Sequence, residues 1–218
     1  MSRSFEIRVC QNPDCGLRYP LMAGHPFGMR CPHCLGETLA VLKQEMGNET
    51  LTENSERERK DFSVLLDNIR SAWNVGSILR SADGFGFRHA YLCGITPTPE
   101  QGAVKKTSLG AEDYVTWSYH KDAVKLGEDL KLEGWKIIAL EEHERALPIS
   151  QFPTPREASL LPAKQPILLI AGSEVTGVDP ELLQLADDIY YIPMRGQKRS
   201  FNVAVAFGVA SFSLTSRP

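Results

Sequence analysis

No uninterrupted apolar stretch of about 18 residues occurs anywhere in the chain, so no membrane-spanning helix is expected. The opening MSRSFEIRVC lacks the apolar core of a secretory leader, and the cytoplasm is the expected location. A strong excess of positive charge is missing too. The net charge is −3, so bulk electrostatics do not mark a nucleic-acid binder, although a local basic surface is compatible with it. No G-x-G-x-x-G follows any of the strand-like runs, which removes the dinucleotide fingerprint. Internal repeats and low-complexity blocks are absent as well. Cysteine becomes scarce after residue 34: of five in all, only Cys93 lies beyond it, in the strand-like AYLCGI, where core packing is the expected role.

What is there divides in two. With 218 residues, 42% of them hydrophobic, the chain can bury one full core with a small appendage. The appendage is the cysteine-rich segment at residues 1–43. CQNPDC and CPHC set Cys10, Cys15, Cys31 and Cys34 as C-x4-C, fifteen intervening residues, then C-x2-C. Each pair suits a tight turn aiming two sulfurs at one point, and the spacer is long enough for a hairpin. Four thiolates around a structural zinc ion satisfy that geometry, giving a zinc-ribbon-like module. A segment of about 45 residues also gains from a metal cross-link, because its core is too small to hold it. The alternatives are two disulfides or unpaired structural cysteines; His25 and His33 are substitute ligands or surface histidines. QEMGNETLTENSERERK follows, and its polarity marks residues 44–60 as a charged linker.

From residue 61 to 218 the pattern alternates. FSVLLDN, RHAYLCGI, YVTWSY, WKIIALEE, PILLIAG and DIYYIPM read as strands; NVGSILRSADGFGF and KDAVKLGEDLKLEG read as helices ending in glycine. Asp179 is placed to cap a helix that Pro180 opens. Strands separated by helices predict an α/β fold with a parallel sheet. Ligands in such sheets bind beyond the carboxyl ends of the strands.

Three strand-to-loop passages carry unusual residues. In DNIRSAWNVGSILRSADGFGF, Asn74 stands where a helix would begin and Arg80 six residues on; a lone arginine among apolar neighbours also simply snorkels. In LLIAGSEVTGVDPELL, Gly172 lets a ligand or backbone come close at the strand end, and Glu174 follows; alone this is an ordinary turn with a surface glutamate. In YYIPMRGQKRSFNVAVAF, Pro193 should end the strand near Ile192. Ser200 is then the expected N-cap of an apolar helix, with Asn202 in its first turn, facing the sheet end or capping its own helix.

Taken in order, Asn74…Arg80, Gly172-x-Glu174-x-x-Gly177 and IPMRG…SFN resemble the three motifs of the SpoU/TrmH branch of the SPOUT RNA methyltransferases. KKTSLGAEDYV (Lys105 to Val115) is similar to a further stretch of that family. The resemblance covers roughly Phe62 to Leu214 and excludes the cysteine segment. The usual third motif reads S-L-N-V-S; Phe201 and Ala204 depart from it. The resemblance implies a C-terminal deep trefoil knot, a homodimer, S-adenosylmethionine as cofactor, and methyl transfer to a ribose 2′-hydroxyl of tRNA or rRNA. By matching motifs, Leu140, Gly172, Ile192 and Phe201 should line the cofactor, with Met194 as a further candidate. Asn74, Arg80, Glu174, Ser200 and Asn202 form the polar set around the acceptor. RNA contacts are expected from Lys105, Lys106, Arg195, Lys198 and Arg199, with Arg3, Arg8, Arg18 and Arg30 on the module. Alternatives are a catalytically silent RNA- or partner-binding protein docking through the zinc module, a base-nitrogen methyltransferase, and a generic nucleotide-binding α/β enzyme.

Overall fold

The computed structural model describes residues 4–25, 30–46, 62–152 and 165–215. Arg3 and most of the expected linker lie outside them. The chain divides into two units, Met1–Glu56 and Arg57–Pro218.

The first unit is an antiparallel sheet of β1 (Ser4–Cys10), β2 (Arg18–Met22) and β3 (Thr38–Glu45), in the order β2-β1-β3. β3 runs past the boundary expected at residue 43, because Gln44 and Glu45 pair with Phe5 and Ser4. Composition assigned those polar residues to the linker; ladder hydrogen bonds claim them for the sheet. Arg8, expected to contact RNA, is instead buried. Its guanidinium donates to the Thr38 hydroxyl and carbonyl, both at 2.8 Å, and to Glu6 at 2.6 Å. A buried guanidinium must be satisfied internally, and this one clamps β1 to β3.

The second unit is built in chain order from β4 (Phe62–Asp67), α1 (Ala72–Gly84), β5 (His89–Cys93), α2 (Gly102–Ser108), β6 (Thr116–His120), α3 (Ala123–Leu132), β7 (Lys136–Leu140), β8 (Leu147–Pro148), β9 (Ile167–Gly172), α4 (Pro180–Leu185), β10 (Asp188–Tyr191) and α5 (Val203–Thr215). The seven strands lie in the order β6-β5-β4-β9-β7-β10-β8 with parallel pairings. β4 is buried at every position, as expected of a central parallel strand covered on both faces. Alternation sends Val64 and Leu66 to one face, with Val75, Ile78, Leu79, Phe207 and Leu214 of α1 and α5. Leu65 goes to the other, with Leu130 of α3 and Leu182 of α4.

Helix starts follow local chemistry. The Ser71 hydroxyl accepts from the Asn74 amide at 3.3 Å, Asp122 from Lys125 at 3.0 Å, and Asp179 from Glu181 at 2.8 Å with Pro180 in the first turn. α1 begins at Ala72, earlier than the Asn74 start read from the sequence, because Ser71 is the cap. α5 begins at Val203, and Ser200 is not its cap. Asn202 takes that place: its side-chain oxygen accepts from the Ala204 and Val205 amides at 3.0 and 3.4 Å, and its carbonyl from Ala206 at 2.9 Å. Parallel pairing brings the strand ends Asp67, Leu140, Gly172 and Tyr191 to one edge of the sheet, with Asp67 opposite Gly172 and Leu140 opposite Ala171.

Candidate active site

Three loops meet at that edge. The first runs from Asp67 into α1, the second from Gly172 to Val178, and the third from Tyr191 to Asn202. Gly172 permits the second loop to fold back on itself: a Cβ there would collide with the Val178 amide nitrogen and the Gly177 backbone. Ser173 and Gly177 close the loop by exchanging amide–carbonyl bonds of 3.0 and 2.9 Å, with Gly177 at φ 73°. Glu141 holds the loop from outside by accepting from the Val178 amide at 2.9 Å. Buried Asp67 accepts from the Asp179 amide at 2.8 Å, which ties β4 to the end of the same loop. Burial pushes the Asp67 carboxyl up from its ordinary value, against the Asp179 amide and Asn68 amide that favour its charge.

The polar side chains form one directed chain. Because the Asn202 oxygen is taken by its helix amides, its Nδ2 turns to the Asn74 oxygen at 3.0 Å. That leaves Asn74 Nδ2 to donate to Glu174 at 2.8 Å. The same carboxylate accepts from the Arg70 and Ser71 amides at 3.0 and 3.3 Å, just before the start of α1. Burial alone would raise the Glu174 carboxyl. The Arg70 amide, its own amide, Asn74 and Ser71 outweigh that, and hold it below its ordinary value. Glu174 is therefore a fixed carboxylate that orients two amides in series.

Beside this chain lies a cleft of about 590 Å³, lined among others by Leu140, Gly172, Glu174, Ile192, Ser200, Phe201 and Asn202. This size falls within the ~300–1,000 Å³ of small-molecule sites. Glu141, Glu142 and Arg199 also line it. In the sequence these carboxylates carried no signal beyond an ordinary strand end, and Trp73, beside Asn74 in the first turn of α1, none beyond an ordinary helix start. Asn74 reaches the cleft through its bonds to Glu174 and Asn202. Met194 is half-buried and is not in the lining. Neither is Arg80, which is exposed on α1. Six residues of helix separate it from Asn74, a rise of ~9 Å and a turn of ~240°, so the two cannot share a face. Lys105, Lys106, Arg195 and Lys198 are exposed and outside the lining; Arg18 and Arg30 are exposed on the first unit.

In that unit the sulfurs of Cys10, Cys15, Cys31 and Cys34 lie within 4.8 Å of one another, with Cys10–Cys34 at 3.4 Å and Cys15–Cys31 at 3.8 Å. A tetrahedral zinc–thiolate site, with bonds of ~2.3 Å, sets sulfurs ~3.8 Å apart; the cluster fits. Left-handed residues close both turns, Gly16 at φ 54° and Leu35 at φ 60°. His33 lies 3.5 Å from Cys15 through Nδ1, while its backbone amide faces Cys31. Cys93 is buried at the end of β5, where burial pushes its thiol up to about 12.

Comparison with known proteins matches residues 61–212 to the SpoU rRNA Methylase family. The tRNA (guanosine(18)-2′-O)-methyltransferase of Thermus thermophilus is 30% identical over 170 residues, 78% of this chain and 82% of that protein. The crystal structure of the Aquifex aeolicus TrmH/SpoU tRNA modifying enzyme superposes with a TM-score of 0.61 at 25% identity, covering 71% and 73% of the two chains. That of the SpoU methyltransferase AviRb from Streptomyces viridochromogenes, in complex with the cofactor AdoMet, shares the fold at TM-score 0.61 and 24% identity, covering 82% and 67%.

Proposed function

This chain belongs to the SpoU rRNA methylase family through residues 61–212, and on that premise we propose that it is an S-adenosylmethionine-dependent RNA methyltransferase acting on a ribose 2′-hydroxyl. The observation that carries the reading is the Glu174–Asn74–Asn202 chain, set on the rim of a cleft of sufficient size.

The cleft fits the donor in chemistry as well as volume. Leu140, Ile192, Phe201, Val203 and Ala206 offer apolar walls to an adenosine, and the backbone of Gly172 and Ile192 offers polar groups to its base. The Glu141 and Glu142 carboxylates suit the donor's cationic groups. Met194, on the same loop, stands outside this lining. When bound, S-adenosylmethionine supplies a methyl carbon made electrophilic by its sulfonium. The residues of the chain then have to align the 2′-hydroxyl and ease loss of its proton. Asn202 orients the hydroxyl, its own orientation locked by Asn74 and Glu174, and Ser200 stands beside it. Arg80 serves as a cation and not as a base, because a guanidinium stays charged in proteins. Its exposed position, off the cleft lining, suits gripping an RNA phosphate, the hydroxyl proton leaving through phosphate or water.

Arg195, Lys198, Arg199, Lys105 and Lys106 supply charge for a tRNA or rRNA substrate. The apolar stripe Val205, Val209 and Phe212, exposed along α5, supports a homodimer that would cover it. The C-terminal trefoil knot rests on membership of the SpoU family. The four clustered thiols support structural zinc in a module of residues 1–43, now extended by β3 to Glu45, with Arg18 and Arg30 available to RNA.

Mapping 2′-O-methyl groups in total RNA with and without the gene tests the activity; an identical map sinks it. Calorimetry with S-adenosylmethionine separates an enzyme from a silent binder. Arg80→Lys is expected to abolish methyl transfer while cofactor affinity stays nearly intact; equal loss of both assigns Arg80 to scaffolding.

A further inference from the structure

Trp73, on the first turn of α1, is 55% exposed, an unusual place for the largest side chain. Its backbone is held from both sides. Ser71 caps the turn, the Arg70 and Ser71 amides bind Glu174, and Asn74 bonds both Glu174 and Asn202. The indole is thus anchored one residue from the polar chain at the cleft while its ring lies in solvent. The Lys106 ammonium sits over the ring, 5.6 Å from its centroid. α2 is fixed in that position by close packing. Gly76 of α1 meets α2 so tightly that a Cβ would collide with the Thr107 hydroxyl and the Val104 carbonyl.

Resting on the RNA methyltransferase reading above, we propose that Trp73 and Lys106 form a stacking platform for an unpaired nucleobase next to the methylated ribose, Trp73 taking the base face and Lys106 the adjoining phosphate. A rigid, half-exposed indole is costly to leave in water and suited to stacking with any base. The cation beside it matches the charge that every nucleotide carries. A paired and stacked base cannot reach the ring, so the platform selects loops or opened ends over continuous duplex.

The test follows tryptophan fluorescence of the full chain, with Trp73→Phe as the reference that isolates the signal of Trp73, during titration with unfractionated tRNA and with a blunt RNA duplex at equal ionic strength. Quenching by tRNA and not by duplex is expected. Trp73→Ala should weaken tRNA binding by about five- to 150-fold and raise KM for RNA with S-adenosylmethionine affinity and thermal midpoint unchanged, while Trp73→Phe restores most of the loss. Lys106→Ala should reduce the salt slope of binding by about 0.7–0.9. No quenching with unchanged KM, or equal quenching by duplex, overturns the platform. So does a change of sedimentation state in Trp73→Ala, which would make the ring a contact between copies. If the wild-type chain transfers no methyl group to any RNA yet Trp73 is still quenched by tRNA, the platform stands and the methyltransferase reading fails alone.

Discussion

Glu174 collects three hydrogen-bond donors that bring two loops together, the Arg70 and Ser71 amides and the Asn74 side chain, and its own amide adds to them. Its carboxyl lies below the ordinary value of 4.5 in the folded chain, so the folded state binds fewer protons than the unfolded one as the group titrates. Its contribution to stability is therefore complete above about pH 4.5 and is lost as pH falls through the lower folded value. Glu174→Gln should lower the urea midpoint at pH 7 and flatten its fall below pH 4.5, the two curves converging in acid. Methyl transfer should drop more than stability does, because a glutamine has one acceptor oxygen for three donors, and its NH2 would confront Arg70 on one side or Ser71 and Asn74 on the other, loosening the chain to Asn202. A parallel shift of the two urea curves at every pH would remove the charge from this account.

Elements act here through their ends. α5 is apolar on nearly every face, burying Val203, Phe207, Ala210 and Leu214 while Val205, Val209 and Phe212 stay exposed. It carries only one polar anchor at its start, Asn202, which serves both the helix and the site. Two substitutions separate these duties. Asn202→Ala removes the cap and should cost ~1 kcal/mol of stability along with activity. Asn202→Asp keeps an acceptor for the Ala204 and Val205 amides, and its charge suits a helix N-terminus, but it loses the donor to Asn74 and sets a carboxylate near Glu174. Its thermal midpoint should stay close to wild type while methyl incorporation falls at least tenfold. Equal activity in Asn202→Asp would reduce Asn202 to a cap.

At the scale of the whole molecule, the two units rest on different physics. The second owns two apolar layers on a covered parallel sheet. The first has a sheet whose Met22, Leu39, Val41 and Leu42 are exposed, and at its end the buried groups include the Cys10 and Cys31 thiols, with Cys15 and Cys34 half-buried. On the zinc reading, the purified chain carries one zinc per chain by atomic absorption, and Cys31→Ser loses it. A chelator should then melt residues 4–46, read as lost amide protection in hydrogen exchange, while protection in β4 and β9 persists. Full metal loss with protection unchanged in β1 would assign the cluster no structural duty.

Much of this was legible in residue order, for reasons that act locally. Alternation and apolar runs revealed the α/β pattern, Asp179–Pro180 the start of α4, and Pro193 the end of β10, since each depends on a few neighbours along the chain. The spacing of Cys10, Cys15, Cys31 and Cys34 likewise indicated their convergence, because short turns leave little freedom. The tertiary structure decided what long separations conceal. Asn74 and Glu174 are 100 residues apart, and Asn74 and Asn202 are 128, so which amide faces which follows only once parallel pairing has set Asp67 against Gly172. The same holds for Arg8, whose charge suggested RNA and whose burial between β1 and β3 spends it on Thr38 and Glu6. It holds too for Ser200, displaced as cap by an asparagine two residues on whose Nδ2 is also bonded to the Asn74 side chain.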